Sequence, residues 1–95
     1  MNRTAIHTTI INRDDVETNF DEECLAANLL SGAEFKLYRY FMNYPAGQTL
    51  YTRAKFCAAM GSHPKTADIS FHALIEKGYL KEKSENLYNF FTTPV

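Results

Sequence analysis

The side chains that could do chemistry are few and scattered along this sequence. The three histidines, His7, His63 and His72, fall in a predicted strand, a turn and a helix. None of them belongs to an HExxH motif, and His63 and His72 are nine residues apart, too far for a metal-binding pair on one helix. Ser62 and Ser70 lack a plausible base, so no nucleophile is activated. We therefore expect no enzyme activity, no metal site, no cofactor and no small-molecule substrate.

The two cysteines, Cys24 and Cys57, form neither a CxxC motif nor a metal-like spacing to a histidine. They are best explained as reduced thiols that pack as small hydrophobes, with a disulfide or a catalytic thiol as the alternatives. The sequence has no apolar run long enough to cross a membrane, and its first residues lack the apolar stretch of a signal peptide. These features predict a cytoplasmic protein.

Charge is divided unevenly along the 95 residues. The net charge is −1, but residues 1–31 have a balance of −4 and residues 32–95 a balance of +3. An acidic front and a basic body are typical of a protein that binds a polyanion, although so short a chain can show the same division by chance. The hydrophobic share of 45% and the thirteen Phe and Tyr residues predict a single globular domain over 1–95.

The first third of the chain predicts a strand and a short helix. Residues 5–12 are rich in β-branched side chains and indicate a strand. Residues 21–30 read as a short helix or turn, with Asp21 as its N-cap. Ser31 and Glu34 have the spacing of a capping box, which predicts the start of a longer helix over 32–44. That helix is apolar around most of its circumference, so we expect the N-terminal strand or a second subunit to help cover it.

The rest of the chain alternates short elements with clear stop signals. Residues 48–51 are extended, Thr52 is a candidate N-cap for a helix over 53–60, and Gly61 ends that helix. A further helix is predicted over 64–77, with Pro64 in its first turn and a predicted buried face of Ala67, Ser70, Phe71 and Leu74. Residues 79–82 and 87–91 flank a polar turn and predict a β-hairpin.

This order of elements predicts an α+β fold, a winged helix-turn-helix. The three-helix core and its C-terminal β-hairpin wing span 32–91, and 1–31 add an extra N-terminal strand and a short helix. We expect the N-terminal strand to pair with the wing sheet or to cover the first helix of the core.

Three stretches of the sequence resemble a known family. They are Leu30 to Tyr38 (LSGAEFKLY), Tyr44-Pro45, and Ala73 to Leu80 (ALIEKGYL). Together they resemble the N-terminal winged-helix domain of phage and plasmid replication organisers, over about residues 5–91. The resemblance implies a DNA-binding protein of a mobile genetic element that acts in transcription or replication control.

In a winged helix the exposed face of the third core helix enters the major groove, and the hairpin turn lies over phosphates or the minor groove. The positions of the third core helix expected to be exposed are Lys65, Thr66, Asp68, Ile69, His72 and Ala73. The sequence therefore predicts binding of double-stranded DNA, with the chain dimeric on two half-sites. The predicted DNA-binding residues are Arg53, Lys55, Lys65, Thr66, Ile69, His72, Lys81 and Lys83. Lys77 is an alternative to Lys81 as a phosphate contact.

A second hypothesis starts from the residues that suit DNA poorly. Asp68 has the wrong sign for a phosphate-facing helix, and an exposed Ile69 suits a protein contact as well as a thymine methyl group. The chain would then be a phage or plasmid inhibitor that occludes a host nuclease or polymerase, or a dimerisation module. Its acidic segment would supply the protein contacts, which are Asp14, Asp15, Glu17, Asp21, Glu22 and Glu23.

Overall fold

The computed structural model describes residues 8–13 and 20–92, which form helices packed on a mixed β-sheet. In chain order the elements are β1 (Thr8–Arg13), α1 (Phe20–Leu29), α2 (Gly32–Met42), β2 (Gly47–Thr52), α3 (Arg53–Met60), α4 (Pro64–Glu76), β3 (Leu80–Ser84) and β4 (Leu87–Phe90). The predicted α+β class is confirmed. Residues 5–7 of the predicted N-terminal strand lie outside the described residues.

The N-terminal strand occupies the middle of the sheet. The strand order is β2-β1-β4-β3, with β1 antiparallel to β2 and parallel to β4, while β3 and β4 form the predicted antiparallel hairpin. The prediction that the N-terminal strand pairs with the hairpin is therefore confirmed. In β1 the side chains of Thr9 and Ile11 are buried and those of Thr8 and Ile10 are exposed, as expected from strand alternation.

The capping box at the start of α2 is confirmed. The backbone N–H of Glu34 donates to Ser31 Oγ at 3.2 Å, and the backbone N–H of Ser31 donates to Glu34 Oε1 at 3.1 Å. The prediction for α1 is wrong in one detail, because α1 begins at Phe20 and places Asp21 inside its first turn. An acid there still suits the positive end of the helix dipole. The predicted end of α2 is also wrong by two residues, since the helix stops at Met42.

A tight turn joins α3 to α4. Gly61 adopts the left-handed conformation at φ 64°, as predicted for the residue that ends a helix. Pro64 is the first residue of α4, and the side chain of His63 caps that helix, its Nδ1 accepting the N–H of Lys65 at 3.1 Å. Thr52 occupies the predicted N-cap position of α3, but its side chain makes no capping hydrogen bond. The turn therefore sets the direction in which α4 leaves α3.

Aromatic rings fill the space between the helices and one face of the sheet. The ring of Phe41 on α2 lies 5.4–5.6 Å from those of Tyr44, Tyr51 and Phe90, measured between centroids. The predicted inner face of α4 is confirmed, since its four members are buried: Ala67, Ser70, Phe71 and Leu74. On α2 the buried residues pack within the same chain, so its apolar circumference needs no second subunit as a cover.

Candidate nucleic-acid interface

One ion pair connects α3 to α4. Arg53, the first residue of α3, donates from Nη1 to Oδ2 of Asp68 on the second turn of α4, at 2.8 Å. The two side chains are only 23% and 16% exposed. The expectation that Asp68 faces solvent is therefore wrong, and Arg53 is not a free phosphate contact. The two charges offset each other between the helices, which removes the unfavourable acid from the outer face of α4.

The surroundings of this ion pair are apolar and partly buried. The hydroxyl of Tyr51 is fully buried nearby, and burial raises the pKa of the phenol, with the charges of Cys57 and Asp68 adding to the effect and Arg53 opposing it. The phenol is therefore neutral at physiological pH. Arg53 and Asp68 neutralise each other at this partly buried position, so the loss of either would leave the other uncompensated.

The outer face of α4 exposes three of the predicted site residues. Lys65 and Thr66 are exposed in its first turn, and Ile69 is 58% exposed one turn further on. The prediction that His72 is exposed is wrong, since its side chain is half-buried. Ala73 is half-buried in the same way. The exposure of Ile69 confirms the predicted rotation of the helix about its axis.

Four of the predicted lysines keep their charges unpaired. Lys55, Lys65, Lys81 and Lys83 have exposed side chains and form no ion pair with any described residue. Lys77 differs, since its ammonium pairs with Glu34 and also donates to the carbonyl of Leu29 at 3.3 Å. The alternative that Lys77 contacts phosphate is therefore disfavoured, and Lys81 remains in its place.

The lysines lie close to the α3–α4 ion pair along the chain. Lys55 is two residues after Arg53, and Lys65 is three residues before Asp68. An open groove of about 410 Å³ lies at the start of α3, lined by Thr8, Thr52, Arg53, Ala54 and Lys55. The first turn of α3 contains no acid, and the free N–H groups at a helix start attract anions. The groove at the start of α3 therefore combines Lys55 with a helix N-terminus.

Two of the six acidic residues of the alternative hypothesis, Glu22 and Glu23, bond within the fold. Asp14, Asp15 and Glu17 lie outside the described residues. Glu23 forms an ion pair with Arg39 of α2, and Glu22 accepts a hydrogen bond of 3.4 Å from Thr92 Oγ1. Of the acids on α1, Asp21 is the exposed one.

The outer face of α1 also exposes two leucines. Leu25 and Leu29 are 48% and 52% exposed and lie one helical turn apart. These leucines are residues that the sequence analysis did not single out as a contact surface. The signal was available in their i, i+4 spacing, but that spacing alone does not show which face of a helix is buried.

Other kinds of site find little support in the described part of the chain. No group of three or more His, Cys, Asp or Glu residues there could hold a metal ion. Cys24 is exposed, Cys57 is half-buried, and both are free thiols, so only Cys57 packs against the core as expected for both cysteines. Among the described helices, none has the length and apolar character to cross a membrane.

Comparison with known proteins finds no family model, no curated protein and no solved structure that matches this chain. The resemblance to replication organisers therefore stays a prediction from the three sequence stretches that suggested it.

Proposed function

We propose that this protein is a winged helix-turn-helix that binds double-stranded DNA with α4 in the major groove. In this interpretation α2, α3 and α4 are the helical core, the Gly61 turn joins the two helices of the motif, and the β3–β4 hairpin is the wing. Insertion of β1 between β2 and the hairpin is an elaboration of that plan. The resemblance noted in the sequence would make this a transcription or replication regulator of a phage or plasmid.

The observation that carries the proposal is the separation of charges on α4. Asp68 is turned toward Arg53 and neutralised there, whereas Lys65 points to solvent without an ion-pair partner among the described residues. The first two turns of α4 thus present a cation and two side chains without charge, Thr66 and Ile69, whereas the exposed carboxylate of Glu76 lies at the far end of the helix. A surface of this kind can approach phosphates without the repulsion that the sequence suggested.

Affinity would come mainly from contacts with phosphates. Each phosphate neutralised by a lysine contributes about −0.9 to the slope of log K against log salt concentration. If all four exposed lysines make such contacts, the slope is about −4. That value is modest, and it agrees with a domain whose net charge is close to zero.

Sequence preference would come from the two uncharged residues of α4. The methyl groups of Ile69 and Thr66 suit the C5-methyl group of thymine, and the Thr66 hydroxyl can bond to a base edge. The half-buried His72 would have to reach the groove from a deeper position than predicted. We therefore expect a preference for A·T base pairs beneath the second turn of α4.

A second candidate function is favoured by the leucines of α1. An exposed Leu25–Leu29 pair suits a protein partner, such as the host nuclease or polymerase of the occlusion hypothesis. In that case apolar burial adds to the contact, and Glu22 and Glu23 contribute less than the sequence suggested because they bond within the fold. Replacing both leucines by serine would then abolish the interaction.

The test is fluorescence anisotropy with a labelled random duplex of about 25 base pairs, a little over two helical turns. Binding is measured at roughly 50 and 200 mM salt, where phosphate contacts differ strongly in strength. We expect binding at the lower concentration that weakens sharply at the higher one, and a loss of about tenfold or more for Lys65→Glu.

The matched control is Lys36→Glu, the same charge reversal at an exposed lysine of α2 that is not among the proposed DNA contacts. The Lys36 ammonium donates to the carbonyl of Met60 at 3.4 Å, so circular dichroism and thermal unfolding are used to check that this variant keeps the wild-type fold. It is expected to weaken binding much less than Lys65→Glu. Equal effects would indicate general electrostatic attraction without a specific role for α4. Absence of binding at the lower salt concentration would contradict the proposal and direct attention to the α1 leucines.

A further inference from the structure

The two edges of the sheet differ in their protection against pairing with another strand. The β3 edge carries Lys81, Glu82 and Lys83, all exposed, and its pairing with β4 is irregular between Glu82 and Ser84. Charges and bulges of this kind discourage edge-to-edge association. The β2 edge has the sequence Gly-Gln-Thr-Leu-Tyr-Thr, with no charge, and its pairing with β1 is regular. Of the two described edges, β2 is the unprotected one.

An apolar row runs across the outer face of the sheet toward this edge. Ile10 is the register partner of Leu50 on one side and of Leu87 on the other. Leu50 is 58% exposed, Ile10 is 37% exposed, and Leu87 is half-buried. The row therefore ends in its most exposed member, Leu50, at the open edge.

The backbone of Leu50 also points toward the open edge. The N–H of Ile10 donates to the carbonyl of Asn86, next to β4, at 2.8 Å. Because the N–H and C=O of one strand residue point to the same side, both groups of Ile10 face β4. Its antiparallel partner Leu50 then belongs to a non-hydrogen-bonded pair, whose backbone groups face away from β1. By alternation along the strand, those of Gln48 do the same.

We propose that the chain forms a symmetric homodimer in which β2 pairs antiparallel with β2 of a second copy, with the two-fold axis at Leu50. In this register the two Leu50 residues face each other and exchange two backbone hydrogen bonds. The two apolar rows join into one across the combined sheet. Gln48 lies opposite Thr52 of the second copy, so no like charges meet.

Other pairings of the same edges are less favourable. Two β3 strands paired about Glu82 would set Lys81 opposite Lys83 of the second copy, and like charges directly opposite each other are destabilising. Head-to-tail pairing of β2 with β3 leaves open edges and would continue into filaments. Pairing of β2 with β2 closes the assembly at two copies. This inference does not depend on DNA binding.

The test is sedimentation equilibrium of the full chain without DNA, over a range of protein concentrations. We expect a reversible monomer–dimer equilibrium that L50K weakens about tenfold or more. The matched control is L29K, since Leu29 is exposed to 52% but lies on α1. It should leave the association unchanged, and circular dichroism confirms that both variants are folded.

A charge swap tests the register. L50K and L50E should each associate weakly alone, because like charges face each other at the two-fold axis, whereas an equal mixture should recover the dimer. A chain that stays monomeric at every concentration would overturn the proposal. So would an equal effect of L29K and L50K, or a mixture that associates no better than its components.

Discussion

Helices α1 and α4 lie on different parts of the surface. In each helix, acidic side chains bond to other residues of the fold, but the side chains exposed beside them differ. In α4 the carboxylate of Asp68 is held by Arg53, and Lys65 is left exposed beside Ile69. In α1 the carboxylates of Glu22 and Glu23 bond to Thr92 and Arg39, which leaves leucines exposed. Bonds within the fold therefore neutralise some of the charges on these helices, which a count of charged residues along the sequence does not show.

The largest effect is expected for a change in the hydrophobic core that α1 and α4 share. Phe41 is fully buried and its ring contacts those of Tyr51, Phe71 and Phe90. We expect Phe41→Ala to lower the free energy of unfolding by about 3–5 kcal/mol, measured by urea denaturation, because it removes a large ring from a packed core.

Leu29→Ala is the control for this change, since Leu29 is half-exposed on α1. It should cost less than about 1 kcal/mol. Equal destabilisation by the two substitutions would contradict the burial of Phe41 in an aromatic core.

The next largest effect is the difference in stabilisation between the Arg53–Asp68 pair of α4 and the Arg39–Glu23 pair of α1. Asp68→Ala leaves the guanidinium of Arg53 partly buried without its partner, and we expect a loss of about 1–3 kcal/mol in the free energy of unfolding. Glu23→Ala removes the more exposed pair with Arg39 and should cost less than about 1 kcal/mol. Urea denaturation of both variants measures the difference.

A double-mutant cycle with Arg53→Ala and Asp68→Ala shows whether the two residues interact directly. If the changes in the free energy of unfolding of the two single variants add up to that of the double variant, the structure is contradicted, because two residues in direct contact should show a coupling energy. A measurable coupling would support the view that Asp68 orients α4 and does not read bases.

The smallest effect concerns pH and the pair that joins α2 to the end of α4. Burial would raise the pKa of Glu34, but the side chain of Lys77 and the backbone N–H of Ser31 together lower it below its ordinary value. A lowered pKa in the folded state stabilises the protein above the unfolded pKa of roughly 4.3, and that stabilisation is lost as the pH falls through the folded pKa.

Glu34→Gln should remove this contribution. The variant is expected to be less stable than the wild type at neutral pH by under about 1 kcal/mol, because Lys77 is an exposed partner. The difference should shrink as the pH falls below the ordinary pKa of Glu. Thermal unfolding of both proteins at several pH values measures this difference in stability. A difference that increased as the pH fell would contradict the lowered pKa of Glu34.

Much of the fold could be predicted from the sequence because its signals are local. The capping box of Ser31 and Glu34, the turn at Gly61 and the proline at the start of α4 each depend on neighbouring residues. The buried face of α4 followed from helical spacing in the same way. The predicted boundaries of α3 and the exposure of Ile69 are confirmed for this reason.

The features that were missed depend on residues far apart in the chain. The pairing of Arg53 with Asp68 and the pairing of β1 with β2 both require the tertiary arrangement. The capping role of His63 was missed for a different reason, since histidine is not among the favoured N-cap residues. Sequence spacing alone could therefore locate α4 as the candidate surface but could not show which of its charges are free.

The most direct test of the α4 surface is an NMR titration of the isotopically labelled full chain with the random duplex. If α4 binds DNA, the largest shifts in the backbone amide signals should appear over residues 65–72, with smaller ones at Lys81 and Lys83. The signals of Leu25 and Leu29 should change little. Shifts concentrated on α1, or an absence of shifts at low salt, would contradict the proposal that α4 is the DNA-binding element.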